Sequence, residues 1–252
     1  MSEIDELRER VAQACRVLGK LGLADAATGH ISARIPGTDR VLIRARGPGE
    51  LGVRYTTADQ VVEVSLDGKV IGDVGQGLEA PIEVFIHTAV YRKRPDVQSV
   101  VHVHPPTVVL FTICNKPLLP LYGAFDPSGA QMALAGVPTY QRSILISNPK
   151  LGDDLMQAMG ESKVCLMRGH GITSVGRSVE EAALEAITLN NLADMNYRAN
   201  LLGDPRPILP EDQEAFREMA KSGKGRNDFL SGNKTSGRAA ALWRYDVELT
   251  QS

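Results

Sequence analysis

The chain is poor in the residues that mark specialised folds. Three cysteines in 252 residues, Cys15, Cys114 and Cys165, are odd in number and widely scattered, which excludes a disulfide framework. Their mostly apolar surroundings read as reduced core positions of a cytoplasmic protein. Aromatic residues make up 5% of the chain, too few for a base-stacking surface. Neither sign of charge dominates: 28 Lys and Arg against 30 Asp and Glu leave a net charge of -2, so no nucleic-acid or membrane partner is expected. Long apolar runs are missing too, since a stretch such as Val108 to Cys114 is far too short to span a bilayer. The opening Met1-Ser2-Glu3-Ile4-Asp5 lacks the basic-then-apolar order of a secretory signal. No Gly-rich loop has the dinucleotide or P-loop spacing between a strand and a helix, which argues against nucleotide binding.

What is present is an ordinary globular composition, 43% hydrophobic and 23% charged, in a length that suits one large α/β domain. We read residues 1–252 as that domain, with a C-terminal extension from about 204. Ser2 caps a helix with the stripe Ile4, Leu7, Val11, Cys15 and Leu18, ending near Gly22. Strands are expected at 31–35 and 41–44, then a hairpin of 61–64 and 69–74 around Leu66-Asp67-Gly68. A helix runs from Pro81 to Arg94, and a strand carrying His102 and His104 leads into a helix opened by Pro105-Pro106. A strand over 137–147, a helix over 149–160 and strands at 164–167 and 172–175 follow. Ser178-Val179-Glu180-Glu181 caps a long helix to Leu202, closed by Gly203. A helix over 211–221 and a Gly/Ser/Lys-rich tail end the chain. Frequent hairpins and irregular alternation favour a three-layer α/β/α sandwich on a mixed or antiparallel sheet.

Histidine is scarce, at five residues, and its placement is informative. His102 and His104 are two apart on a strand, so both imidazoles leave one face. Burying them among valines is costly unless their nitrogens are satisfied, and a divalent metal does that well. His170, in the turn Arg168-Gly169-His170-Gly171, supplies a third imidazole. Three protein ligands with one open position is the catalytic arrangement of such ions. Hydrogen-bonded core histidines are the competing reading. Three imidazoles suit zinc first, with iron, manganese or cobalt also open. Glu83, one helical turn before His87, is a fourth ligand, a general acid/base, or an exposed helix-start glutamate. His87 itself reads as a satisfied core histidine rather than a partner of the site. Arg44 and Arg46 alternate at strand period, so both guanidinium forks can face one pocket and bind a carboxylate, unless they are solvated edge-strand residues.

Glu83-x-x-x-His87, Ala89-x-Tyr91, Arg94-Pro95-Asp96, Val100-Val101-His102-x-His104 and His170-Gly171 together resemble the class II aldolase/adducin family, over about residues 5 to 203. The resemblance implies an α/β/α fold and a homotetramer, with one divalent metal per subunit held by His102, His104 and His170 at an interface. Glu83 matches the acidic residue that binds metal at rest and swings away to move protons. The family's sugar-phosphate aldolases carry Ser/Thr-Gly-Asn and serine pairs for phosphate. This chain instead has Thr28-Gly29-His30-Ile31-Ser32, Arg44-Ala45-Arg46-Gly47 and Gly77-Leu78-Glu79-Ala80. The first two segments are similar to those of the family's decarboxylases of dihydroxyphthalates and of carboxy-hydroxymuconic semialdehyde. The expected activity is therefore metal-dependent decarboxylation of a small hydroxylated aromatic or ring-opened dicarboxylic acid. Glu83 or His30 is the expected proton donor, with His30 alternatively bonding a substrate oxygen. Arg44, Arg46, Gly29, Ser32 and Tyr122 form the expected substrate-binding set, although Ser32 also reads as a plain strand-end hydroxyl. Tyr122, Phe125 and Tyr245 read as an aromatic pocket or as packing, the Trp243-Arg244-Tyr245 tail reaching a neighbouring subunit in the first case. Two alternatives stay open: an aldolase or epimerase of a sugar-phosphate-like substrate, and an adducin-like binding module without metal ligands.

Overall fold

The computed structural model describes residues 2–72, 74, 77–221 and 237–251. The first helix, α1 (Glu3–Lys20), starts at a Ser2 capping box and buries Val11, Cys15 and Leu18, as its stripe predicts. The strands are β1 (His30–Arg34), β2 (Arg40–Arg44), β3 (Val61–Ser65), β4 (Ser99–Val103), β5 (Thr139–Tyr140), β6 (Val164–Met167) and β7 (Gly171–Gly176). They form one sheet in the order β3-β2-β1-β4-β7-β6-β5, antiparallel except for the β5–β6 pair.

Helices cover both faces. The side chains of Leu42, Val101 and Val103 pack with α1, α3 (Pro106–Ile113) and α6 (Val179–Leu202). Those of Val41, Ile43 and Val100 pack with α2 (Val84–Lys93) and α5 (Pro149–Met159). This two-sided burial is the three-layer α/β/α sandwich expected from the pattern of elements. Further helices are α4 (Pro127–Ala135), α7 (Pro210–Lys221) and α8 (Gly237–Glu248), the last packing on α1 and α6 and burying Trp243. Among the described residues no helix is long and apolar enough to cross a membrane.

Several local expectations need correction. The turn at Leu66-Asp67-Gly68 forms, but the described part of its second arm, expected as a strand over 69–74, is a bridge from Val70 to Val64, with Gly72 at φ 83° and residue 73 outside the described residues. The strand expected over 137–147 shrinks to Thr139–Tyr140 at the sheet edge, after which the chain leaves the sheet. The helix after Pro81 begins at Val84, so Glu83 stands just outside its first turn. Helix α4 has no counterpart in the sequence reading. Cys114 ends α3 exposed rather than buried. Most of the Gly/Ser/Lys-rich tail lies outside the described residues, and its far end, 237–248, is helical.

Candidate active site

Strand register places the first two groups. His30 on β1 pairs directly with His102 on β4, and opposed residues of an antiparallel pair share a face. Their ring centroids are 5.1 Å apart on the α2 side of the sheet. His104 lies one residue beyond β4, held by its amide to the Leu23 carbonyl at 3.1 Å. His170 comes from the tight β6–β7 turn, where Gly169 at φ 58° reverses the chain. Glu83 enters from the turn before α2. One ligand atom from each of Glu83, His102, His104 and His170 lies within 4.8 Å of the others.

The orientation of these groups is set from behind. His102 Nδ1–H donates to the Ile172 carbonyl at 2.9 Å, so its Nε2 carries a lone pair toward the cluster. That Nε2 is 2.8 Å from His104 Nε2. The Ile146 amide donates to Glu83 Oε1 at 2.8 Å, while Oε2 stands 3.2 Å from His170 Nε2 and 3.5 Å from His102 Nε2. Burial lowers His102 below its ordinary value and brings His104 down to about 3, so both rings are neutral and able to bind a cation. Burial acts to raise Glu83, but the His102 and His170 imidazoles beside it outweigh burial and hold the carboxyl below the usual carboxylate range. Both His170 ring nitrogens are buried with no hydrogen-bond partner. An orphaned imidazole beside an anionic carboxylate and two neutral rings fits a divalent cation.

The other expected residues fall elsewhere. His30 is buried beside His102 and bonds His87. Ser32 is fully buried and bonds His87 and Tyr91, so it does not face substrate. His87 is satisfied at both nitrogens, as a core histidine should be, but its partners include a group beside the site. Arg44 shares a strand face with Leu42, on the α1 side, opposite the histidines. Its guanidinium is taken up by Thr56, Glu50 and the carbonyls of Gly29 and Ala27. Arg46 is exposed and paired with Glu79 and the Ala80 carbonyl. The arginines do not converge on one pocket, because β2 ends at Arg44 and each side chain has its own carboxylate. A Cβ at Gly29, whose φ is 120°, would sit 3.2 Å from Ala24 Cβ and 3.3 Å from the His102 carbonyl oxygen and Val103, a tight fit on a left-handed backbone. Tyr122 meets Phe125 edge-on at 5.5 Å near the start of α4, and Tyr245 stands exposed on α8; no shared aromatic pocket forms. A surface concavity of about 780 Å³ also lies elsewhere, lined by residues such as Asp5, Arg8 and Glu63.

Two supports escape sequence reasoning, the Ile172 carbonyl and the Ile146 amide. Both are main-chain groups, which no residue type marks.

Comparison with known proteins agrees with this geometry. Residues 9–197 match the profile of the Class II Aldolase and Adducin N-terminal domain. The 3,4-dihydroxyphthalate decarboxylase of Arthrobacter keyseri is 40% identical over 238 residues, 94% of this chain and 95% of that protein. That of Rhodococcus jostii is 36% identical, covering 98% and 96%. An aldolase II superfamily protein from Pseudomonas syringae superposes with a TM-score of 0.82 at 23% identity, covering 100% of this chain and 94% of that one. The chain belongs to the class II aldolase/adducin family.

Proposed function

We propose that this protein is a metal-dependent decarboxylase of hydroxylated aromatic dicarboxylic acids, with 3,4-dihydroxyphthalate as the leading substrate. The observation that carries the reading is the gathering of Glu83, His102, His104 and His170 within 4.8 Å. It gains its substrate from 36–40% identity to decarboxylases of that name over nearly the whole chain.

His102, His104 and His170 would hold the ion, zinc first among the candidates. Bound there, a divalent ion supplies a Lewis acid that draws off the negative charge left on carbon when the C–C bond breaks. Glu83, anionic at rest, takes the phenolic proton of the substrate as the hydroxyl enters the site. When the carboxylate leaves as carbon dioxide, the bonding pair stays on the ring carbon and Glu83 returns the proton there. The product then departs as a phenolate and regains its proton from water, so the count closes. His30, beside His102, hydrogen-bonds a substrate oxygen. With Arg44 turned to the opposite face, an arginine clamp is not part of this reading.

A homotetramer with sites between subunits completes the proposal. Exposed Ile113 lies against Gly169 in the turn that carries His170, and Leu145, next to the Ile146 that anchors Glu83, is exposed too, apolar groups suited to a neighbouring copy. Light scattering should give about four times the chain's 27.2 kDa. The deciding assay measures carbon dioxide release from 3,4-dihydroxyphthalate beside cleavage of a sugar phosphate, with metal analysis of protein purified without chelator. Release from the diacid, lost on chelation and restored by metal, is expected. Sugar-phosphate cleavage alone, or activity indifferent to metal, would sink the reading.

A further inference from the structure

Behind the ligand histidines lies a second buried file of polar groups. His30 Nδ1 is 2.6 Å from His87 Nε2, His87 Nδ1 is 2.6 Å from Ser32 Oγ, and Ser32 Oγ is 2.8 Å from the Tyr91 hydroxyl. His87 and Ser32 are fully buried and Tyr91 nearly so. Elementary periodicity lines them up. His30 and Ser32 project from one face of β1, and His87 and Tyr91 are one turn apart on α2, which packs on that face.

The file has two proton directions, and only one satisfies every donor. With protons running inward from His30, the Tyr91 oxygen would accept from Ser32, and among the described residues its own O–H would have no acceptor in the core, an orphan donor of the kind folded proteins avoid. Running outward, Tyr91 donates to Ser32, Ser32 donates to His87 Nδ1, and His87 Nε2–H donates to His30 Nδ1. A ring that accepts at Nδ1 carries its proton on Nε2. Among the described residues, His30 Nε2 makes no hydrogen bond.

We propose that His87, backed by Ser32 and Tyr91, is the positioning residue that fixes His30 as an Nε2–H donor for a substrate oxygen beside the metal ligands. The role of the donor rests on the decarboxylase reading; its proton placement does not. The histidine that stands where the sugar-phosphate aldolases carry asparagine would then offer substrate an N–H as an asparagine amide does, with its direction set by the core.

With only five histidines in the chain, long-range proton–nitrogen spectra of full-length protein labelled with nitrogen-15 histidine and loaded with zinc can resolve each ring. His30→Gln assigns the His30 signals. A protonated Nε2 and a bare Nδ1 are expected in the parent protein, and mixed tautomers in Ser32→Ala. A His30 ring protonated at Nδ1 in the parent overturns the proposal, whether or not the protein releases carbon dioxide. In kinetics, His87→Gln keeps an N–H donor near the old Nε2 and should hold kcat within about threefold. His87→Leu, with no donor, should lose about 10–100-fold in kcat at unchanged metal content. Equal kcat in the Gln and Leu variants would reduce His87 to packing and overturn the proposal. Should the Leu variant fail to fold, Ser32→Ala takes its place, with roughly tenfold loss expected and parental kcat counting against the idea. A parent that leaves 3,4-dihydroxyphthalate untouched defeats the function proposed above, while the spectra still decide this one.

Discussion

Glu83 has two unlike oxygens. Oε1 is tethered by the Ile146 amide, whereas Oε2 faces two imidazoles and is the one free to exchange protons. Glu83→Gln keeps the shape and can still accept from Ile146, but removes the charge and the basic oxygen. Its kcat for carbon dioxide release should fall about 10²–10⁴-fold while metal content stays near that of the parent; a near-parental rate would exclude Glu83 as the proton carrier. That these four side chains gather was legible in the sequence, because the two-residue spacing of His102 and His104 and the turn at His170 each fix a direction. The arginines show the limit of the same logic. Spacing puts Arg44 and Arg46 on one side of an extended chain but does not reveal which face is the metal side, nor that Glu50 and Glu79 wait beside them. Ser32 was ambiguous for a similar reason: its role depends on His87 and Tyr91, which lie 55 and 59 residues away.

Among the elements, the β4–β7 pair carries a tight constraint beside the site. A Cβ at Gly171 would sit 2.4 Å from the Val103 carbonyl oxygen and 2.6 Å from His104 Cδ2. Gly171→Ala must therefore move a central strand or rotate a ligand ring. We expect destabilisation of about 1–3 kcal/mol together with reduced metal retention after dialysis. A variant that loses stability but keeps full metal would show that the strand, not His104, gives way. Helix α8 offers a test of opposite character. Burial pushes Asp246 up to about 6 from an ordinary 3.8. A folded-state value above the unfolded one means the fold binds the proton more tightly, so this group favours the fold in acid and that contribution is lost as pH rises through about 6. Asp246→Asn should raise the unfolding temperature at pH 7.5, by roughly 2–4 °C per kcal/mol gained, with the gain fading toward pH 4. An unchanged midpoint at pH 7.5 would count against a buried charge there. Helices α5 and α6 were readable from their terminal signals, and α1 from its cap and its stripe. Helix α4 had its signals too, an Asp126 cap, Pro127 in the first turn and Gly136 at the end, but its small residues give almost no stripe. The edge strand β5 was overestimated because β-branched composition does not report where a chain departs to reach Glu83.

At the scale of the whole molecule, the candidate ligands tie together the end of β4, the β6–β7 turn and the start of α2, which belong to the sheet and to one of its covering layers. An ion bound there stabilises the folded state by mass action, by about 4 kcal/mol at a thousandfold excess over its dissociation constant. Chelation should therefore lower the unfolding temperature by on the order of ten degrees, and zinc should restore it; a melting curve insensitive to chelator would argue against a bound ion. The layered architecture could be read from the order of elements, since frequent hairpins and irregular alternation of strands and helices point to a mixed or antiparallel sheet covered by helices. The main-chain supports of the site could not. That same anonymity has a consequence at Ile146. Every amino acid except proline brings the amide that anchors Glu83, so exposed positions just before it, such as Gln141, Arg142 and Leu145, can be rewritten with the carboxylate staying on target. Remodelling of that surface and upkeep of the acid–base group are in this way uncoupled, whereas at 146 itself a proline would remove the amide and a charged residue would disrupt the core that Ile146 fills.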